Sequence, residues 1–293
     1  MVVEPLGPAD VGELLGLDAA DAIDAYLVVG GFPGVVSSWP PGTSLRDFVD
    51  SALAEPTSPL VVMGERSLAA EFPPDAHARR VLEVIGSGRR TFRAVADRAG
   101  VSDASLTHAL QLLIAKRVIA GEDPLSTRQS RRLRRYRVAD PYLSFWLRFV
   151  GPRLDDVGRG RPELATSPLW SAWNAYRGLA VEPLVREAID RLLPEPRFGD
   201  TQRVGSWWSR AHDAEVDLVG VTDQPSRIEF VGSIKWRDRG PFDDGDAADL
   251  AHRAPLVPGT DGRTRHVGVS RAGFATARLD LEFGPEDLVQ ALR

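Results

Sequence analysis

Residues 76–119, AHARRVLEVIGSGRRTFRAVADRAGVSDASLTHALQLLIAKRVI, hold three helical patterns separated by glycine-containing turns. In the first, Val81, Leu82 and Ile85 share one face, and Gly86 and Gly88 end it. TFRAVADRAG predicts a short second helix closed by Gly100, in the position where glycine relieves the left-handed cap. Ser102 is the predicted N-cap of the third, with Asp103 in its first turn, where a carboxylate meets the positive end of the helix dipole. Leu106, Leu110 and Leu113 fall at i, i+4 and i+7 and form its core stripe. Ser105, Thr107, His108 and Gln111 lie opposite. Next, VIAGEDPLSTRQSRRLRRYRVAD (118–140) reads as two strands around a polar loop. Three helices and a hairpin predict a winged helix-turn-helix.

Charge supports that assignment. From His77 to Arg137 fourteen Lys and Arg stand against five acids, a net of +9; elsewhere twenty-two against thirty-six leave −14, so the chain totals −5. A basic block in an acidic protein predicts a polyanionic partner, here DNA. Arg128, Arg131, Arg132, Arg134, Arg135 and Arg137 of the wing are the expected phosphate contacts. Thr107, His108 and Gln111 are the expected base-facing residues. The competing expectation is a winged helix that docks protein.

The surrounding segments are less decisive. Residues 1–75 read as a helical, lid-like segment with a sharp turn at Gly30-Gly31-Phe32-Pro33, and 141–175 as an aromatic helical connector. From 176 to 293 the order helix, three strands, helix, strand predicts a small mixed sheet with flanking helices, so the fold class is α+β. Composition excludes several chemistries. There is no cysteine, so disulfides, thiolate metal sites and cysteine nucleophiles are ruled out. The five histidines have no ligand spacing, and GxxxxGK[ST] does not occur, so no ATPase activity is expected of this stretch alone. The start shows no basic segment before an apolar core, and no apolar run reaches 18 residues; a cytoplasmic protein away from membranes is expected. Only Lys116 and Lys235 are lysines. In an arginine-rich chain this draws attention to Lys235 as a compact ammonium.

Metal-assisted phosphodiester hydrolysis needs carboxylates around Mg²⁺ or Mn²⁺ and a cation near the scissile phosphate. Glu182 on a helix, Asp217 in EVDLVGV and Lys235 in VGSIKW supply those types. Position 233, on Lys235's strand face, is serine where a second carboxylate is needed. Glu215, Glu229 and the aspartates at 243, 244 and 246 are the possible replacements.

RRYRVADPYLSFWLRFV (134–150), GLAVEPLVREAI (178–189), VGSWW (204–208), AEVDLV (214–219) and GSIKW (232–236) together resemble the C-terminal half of prokaryotic, archaeal-type AAA/STAND-like ATPases. The GGFP turn resembles their lid. The resemblance implies a lid, a winged helix and a PD-(D/E)xK nuclease-like, restriction-endonuclease-like domain, without the P-loop core. It carries catalytic roles to Asp217, Lys235 and Glu182, with Ser233 in place of the motif's Glu, and metal-ligand roles to Asp217 and Glu182; Glu215, on Asp217's strand face at i−2, is the further expected metal ligand. The expected function is DNA binding with a degenerate, inactive nuclease-like domain. The alternatives are a metal-dependent deoxyribonuclease with a relocated carboxylate, and an interaction module or partner of a P-loop ATPase.

Overall fold

The computed structural model describes residues 6–73, 76–127, 133–211, 213–223 and 226–293. It is a mixed α+β protein in two compact units, 1–122 with 134–173, and 123–133 with 174–293.

The first unit opens with α1 (Pro8–Leu15), α2 (Ala19–Val29), α3 (Pro33–Val36), α4 (Leu45–Ala54) and α5 (Pro59–Glu71). The GGFP turn lies between α2 and α3. Gly30 has φ +56°, and a Cβ there would sit 2.9 Å from Cβ of Tyr142, so both backbone and space require glycine. Pro33 starts α3 rather than only ending α2, its fixed φ suiting a first helical position.

The helix-turn-helix follows as α6 (His77–Gly86), α7 (Phe92–Ala99) and α8 (Asp103–Ala115). Gly100 takes the left-handed cap of α7, and Ser102 caps α8 by accepting the Ser105 amide. Leu106, Leu110 and Leu113 are buried as their spacing requires. Strands β1 (Ile119–Glu122) and β2 (Arg135–Val138) then pair antiparallel, with Ile119 opposite Val138. This is a winged-helix arrangement. The polypeptide after it forms α9 (Pro141–Phe145), a π-helical turn over Trp146–Val150, α10 (Leu154–Gly158) and the long α11 (Glu163–Arg191). The aromatic residues here are core: Tyr142, Phe145 and Trp146 are buried, and Tyr142 Oη and Trp146 Nε1 donate to the carbonyls of Leu60 and Val61.

The second unit holds a five-stranded sheet in the order β3 (Arg203–Trp208), β4 (Glu215–Val221), β5 (Ile228–Lys235), β7 (Arg265–Ser270), β9 (Leu281–Phe283). Strands β3, β4 and β5 pair antiparallel, whereas β5, β7 and β9 run parallel. A parallel neighbour needs a crossover, and α12 (Asp244–Arg253) supplies it. Beyond the main sheet, β6 (Phe242–Asp243) pairs with β8 (Phe274–Ala275), and α13 (Pro285–Ala291) follows β9. The last strand and helix, and the small β6–β8 pair, are additions to the helix–strand order expected from sequence. Leu250 of α12 and Ala254 just after it pack with Val219 and Val231, so α12 covers the sheet face that carries those valines.

Asp123–Leu133, between the wing strands, belongs to this second unit. The Leu125 amide donates to the Ser206 carbonyl at 2.8 Å, and Trp208 Nε1 donates to the Leu133 carbonyl at 2.9 Å. Arg128, Arg131 and Arg132 lie outside the described residues.

Candidate functional site

Strand alternation decides which side chains meet at β4 and β5. Positions 217, 219 and 221 alternate with 218 and 220, and 231, 233 and 235 share one face of β5. The valines of that face run under α12, and where they end Asp217, Ser233 and Lys235 begin. Continued one residue beyond the Leu218–Gly232 pair, the antiparallel register sets Asp217 across from Ser233. Asp217 Oδ2 accepts the Ser233 hydroxyl at 3.1 Å and the Ile234 amide at 2.8 Å. Burial pushes the Asp217 carboxyl above its ordinary range, against the opposing pull of those two donors and of nearby Lys235; Glu215 adds to the upward shift. Glu215 therefore lies within electrostatic reach of Asp217, as an i−2 neighbour should.

Lys235 is not paired with Asp217. Its Nζ lies 3.5 Å from Asp246 Oδ1, and Arg237 donates to the other Asp246 oxygen. Asp246 is delivered by the first turn of α12, where it forms a capping box with Asp243: each side chain accepts the other's backbone amide. Asp243 and Asp246 are thus occupied in capping and ion pairing, which keeps them from reaching back to replace a carboxylate at 233. Asp244 accepts the Thr276 hydroxyl at 2.6 Å. Glu229 pairs with Arg227 at the far end of β5, so it is no substitute either.

Glu182 and Arg186 form the i,i+4 pair that their spacing on α11 allows, with Arg186 Nη1 at 3.3 Å from Glu182 Oε2. Both are buried. The same Nη1 donates to the Asp217 carbonyl at 3.4 Å. Arg186 therefore ties Glu182 to the β4 backbone, with the carboxylate facing a guanidinium.

These donors do not fit a catalytic divalent ion. Mg²⁺ requires several hard, anionic oxygens in near-octahedral order. Here one carboxyl is raised in pKa and engaged by two donors, another faces arginine, and the third position is a neutral hydroxyl. Among the described residues no group of three or more His, Asp or Glu side chains converges to hold a metal. Sheet register brings Asp217 and Ser233 together with Lys235 nearby, and the carboxylates at 182 and 215 do not complete a ligand set with them.

Two participants carried no sequence signal as site residues. The Ile234 amide meets Asp217 because of sheet register alone. Ser270, in register with Lys235, is fully buried and its hydroxyl has no hydrogen-bond partner among the described residues.

In the first unit, Thr107, His108 and Gln111 are exposed on α8. Thr107 Oγ1 donates back to the Asp103 carbonyl at 2.8 Å. Arg134, Arg135 and Arg137 of the wing are half-buried, and Arg137 Nε lies 2.6 Å from Glu122, which Arg90 also approaches at 3.8 Å.

The chain is similar over residues 146–247 to a family described as archaeal and bacterial proteins of unknown function. That stretch contains Glu182, Asp217, Ser233 and Lys235 and excludes the winged helix. The chain is also 24% identical over 193 residues to an uncharacterized protein of Methanocaldococcus jannaschii, covering 66% of this chain and 43% of that protein. It thus spans less than half the length of that relative. No solved structure matches. Among the described residues no helix is long and apolar enough to cross a membrane.

Proposed function

We propose that this protein binds duplex DNA through its winged helix and does not cleave it, its sheet unit being a nuclease-like, PD-(D/E)xK-type fold with a dismantled metal site. The observation that carries the binding half is a set of arginines on the winged helix. Arg80, Arg89 and Arg98 are exposed and form no ion pair among the described residues. Guanidinium groups left without carboxylates are the groups that release counterions when they meet phosphates. The hydrogen bond from Ser233 to Asp217 supports the non-cleaving half, because it fills with a donor the position a ligand carboxylate would take.

The test is fluorescence anisotropy with a labelled duplex in EDTA, across about 50 to 200 mM salt. Replacing Arg80, Arg89 and Arg98 with Ala should weaken binding at least tenfold and reduce the salt slope by about 2 to 3. Unchanged affinity would remove the winged helix from the proposal. Plasmid incubated with Mg²⁺ or Mn²⁺ should stay intact; nicking that disappears in Asp217→Ala would establish a nuclease instead.

Protein docking has its own support. Leu112 and Ile114 are each 38% exposed on α8, and Asp103–Ala115 contains no Lys or Arg. A recognition helix without cations presents an unusual face to DNA and a reasonable one to an apolar partner. The resemblance to ATPase C-terminal halves makes a P-loop core, on the same chain or another, the partner this alternative names. Absence of duplex binding at low salt would favour it.

A further inference from the structure

Beside Lys235, the C-terminal ends of β5 and β7 gather four arginines that neither the winged helix nor a nuclease site accounts for. Because the two strands are parallel, Lys235 and Ser270 end side by side, and the Arg271 amide donates to the Lys235 carbonyl at 3.2 Å. After β5 the sequence Trp236-Arg237-Asp238-Arg239-Gly240 turns back, held by Arg237 Nε donating to the Gly240 carbonyl at 3.0 Å. Asp238 accepts Arg177 Nη1 at 2.7 Å and lies 3.5 Å from Arg271; the Arg177 side chain itself is only 2% exposed. These cations hold the Asp238 carboxyl below its ordinary range, Arg177 foremost. Asp246 serves Lys235 and Arg237.

Arg177 and Arg271 thus share Asp238, and Lys235 and Arg237 share Asp246, so four cations divide two carboxylates. Arg239 is exposed and forms no ion pair among the described residues. In sheets with parallel strands the C-terminal edge is where ligands collect. Guanidinium groups favour the paired oxygens of a phosphate. The cations follow an open rim, which suits a polymer of phosphates better than a single enclosed anion.

We infer that this edge is a second, metal-independent contact for the DNA phosphodiester backbone, with Arg239 as the residue that touches phosphate and Lys235, Arg237 and Arg271 held behind it by Asp238 and Asp246. The inference rests on the DNA-binding proposal above. Its test uses the same labelled duplex in EDTA with wild type, Arg239→Glu and Arg239→Lys, after thermal melting shows all three folded alike. Arg239→Glu should weaken binding at least fivefold and lower the salt slope by about 1, while Arg239→Lys stays within about twofold of wild type. Arg239→Glu binding as wild type, while the Arg80, Arg89 and Arg98 variant is weakened, would overturn this edge and leave the winged-helix proposal standing. A wild type that binds no duplex would overturn both. Inorganic phosphate displacing the duplex at low millimolar concentration would show a site for single anions and would overturn the polymer assignment.

Discussion

The winged helix and the β5–β7 edge both carry many arginines, yet they handle that charge differently. In the winged helix several cations are answered by nearby carboxylates, and Arg80, Arg89 and Arg98 are exceptions among the described residues. Arg79 meets Glu65 and Glu83, Lys116 meets Glu71, Arg93 meets Asp97, and Arg90 and Arg137 share Glu122. Glu65 and Glu71 come from α5, outside the basic segment, so a net charge of +9 along the chain overstates what the folded surface offers. At the β5–β7 edge the count is smaller, but several cations divide few carboxylates and the surplus is local. Charge summed along a sequence measures composition, whereas charge available to a ligand depends on which acids the fold brings within about 4 Å.

Three substitutions would break or sharpen that contrast. The largest effect is expected from Arg186→Met. It removes the guanidinium that faces the buried Glu182 carboxylate, and loss of one partner of a buried pair costs about 3 to 5 kcal/mol. Urea unfolding should show it; a loss under about 1 kcal/mol would mean the pair is no more than a surface contact.

Asp217→Asn comes next. The native carboxyl is raised above its unfolded value, so the folded protein binds the extra proton between those two values. Wild-type stability should therefore fall as pH rises from the ordinary carboxyl range through the native value, and the penalty should persist above it. Asparagine keeps an acceptor for Ser233 and Ile234 without a charge. Its urea midpoint should lack that slope and at pH 7 equal or exceed wild type; an unchanged slope would locate the titration elsewhere.

The smallest effect is expected from Glu122→Gln. Removing the carboxylate shared by Arg90 and Arg137 should raise duplex affinity about threefold and steepen the salt dependence by up to about 1. If affinity does not change, those arginines do not face DNA, and the contrast between the two regions becomes sharper still.

Much of the fold was legible because its signals are local. Gly100 and Ser102 mark helix ends through backbone conformation and one hydrogen bond, and Leu106, Leu110 and Leu113 declare a buried stripe by spacing alone. The candidate site was legible only in part. The Asp217, Ser233 and Lys235 set follows from strand alternation once β4 and β5 are adjacent. Lys235's partner was not foreseeable, because Asp246 reaches it only through the crossover that places the first turn of α12 at that edge. Likewise the half-burial of Arg134, Arg135 and Arg137 depends on tertiary packing, and nothing in an arginine-rich string distinguishes a solvated guanidinium from one against Glu122.

By itself the sequence determined the three helices and hairpin of the winged-helix arrangement, the helix, three strands, helix and strand at the heart of the second unit, the absence of cysteine chemistry and the serine at position 233. Each of these depends on residue identity or on periods of a few residues. Tertiary structure alone decided that Arg186 reaches the Asp217 carbonyl, that Asp217 is held by a hydroxyl and an amide, and that the Leu125 amide meets the Ser206 carbonyl. It also decided that cations collect where β5 and β7 end. Those outcomes require residues far apart in the chain to come within hydrogen-bonding distance, and electrostatic interactions inside a fold are set by distance and burial rather than by position in sequence.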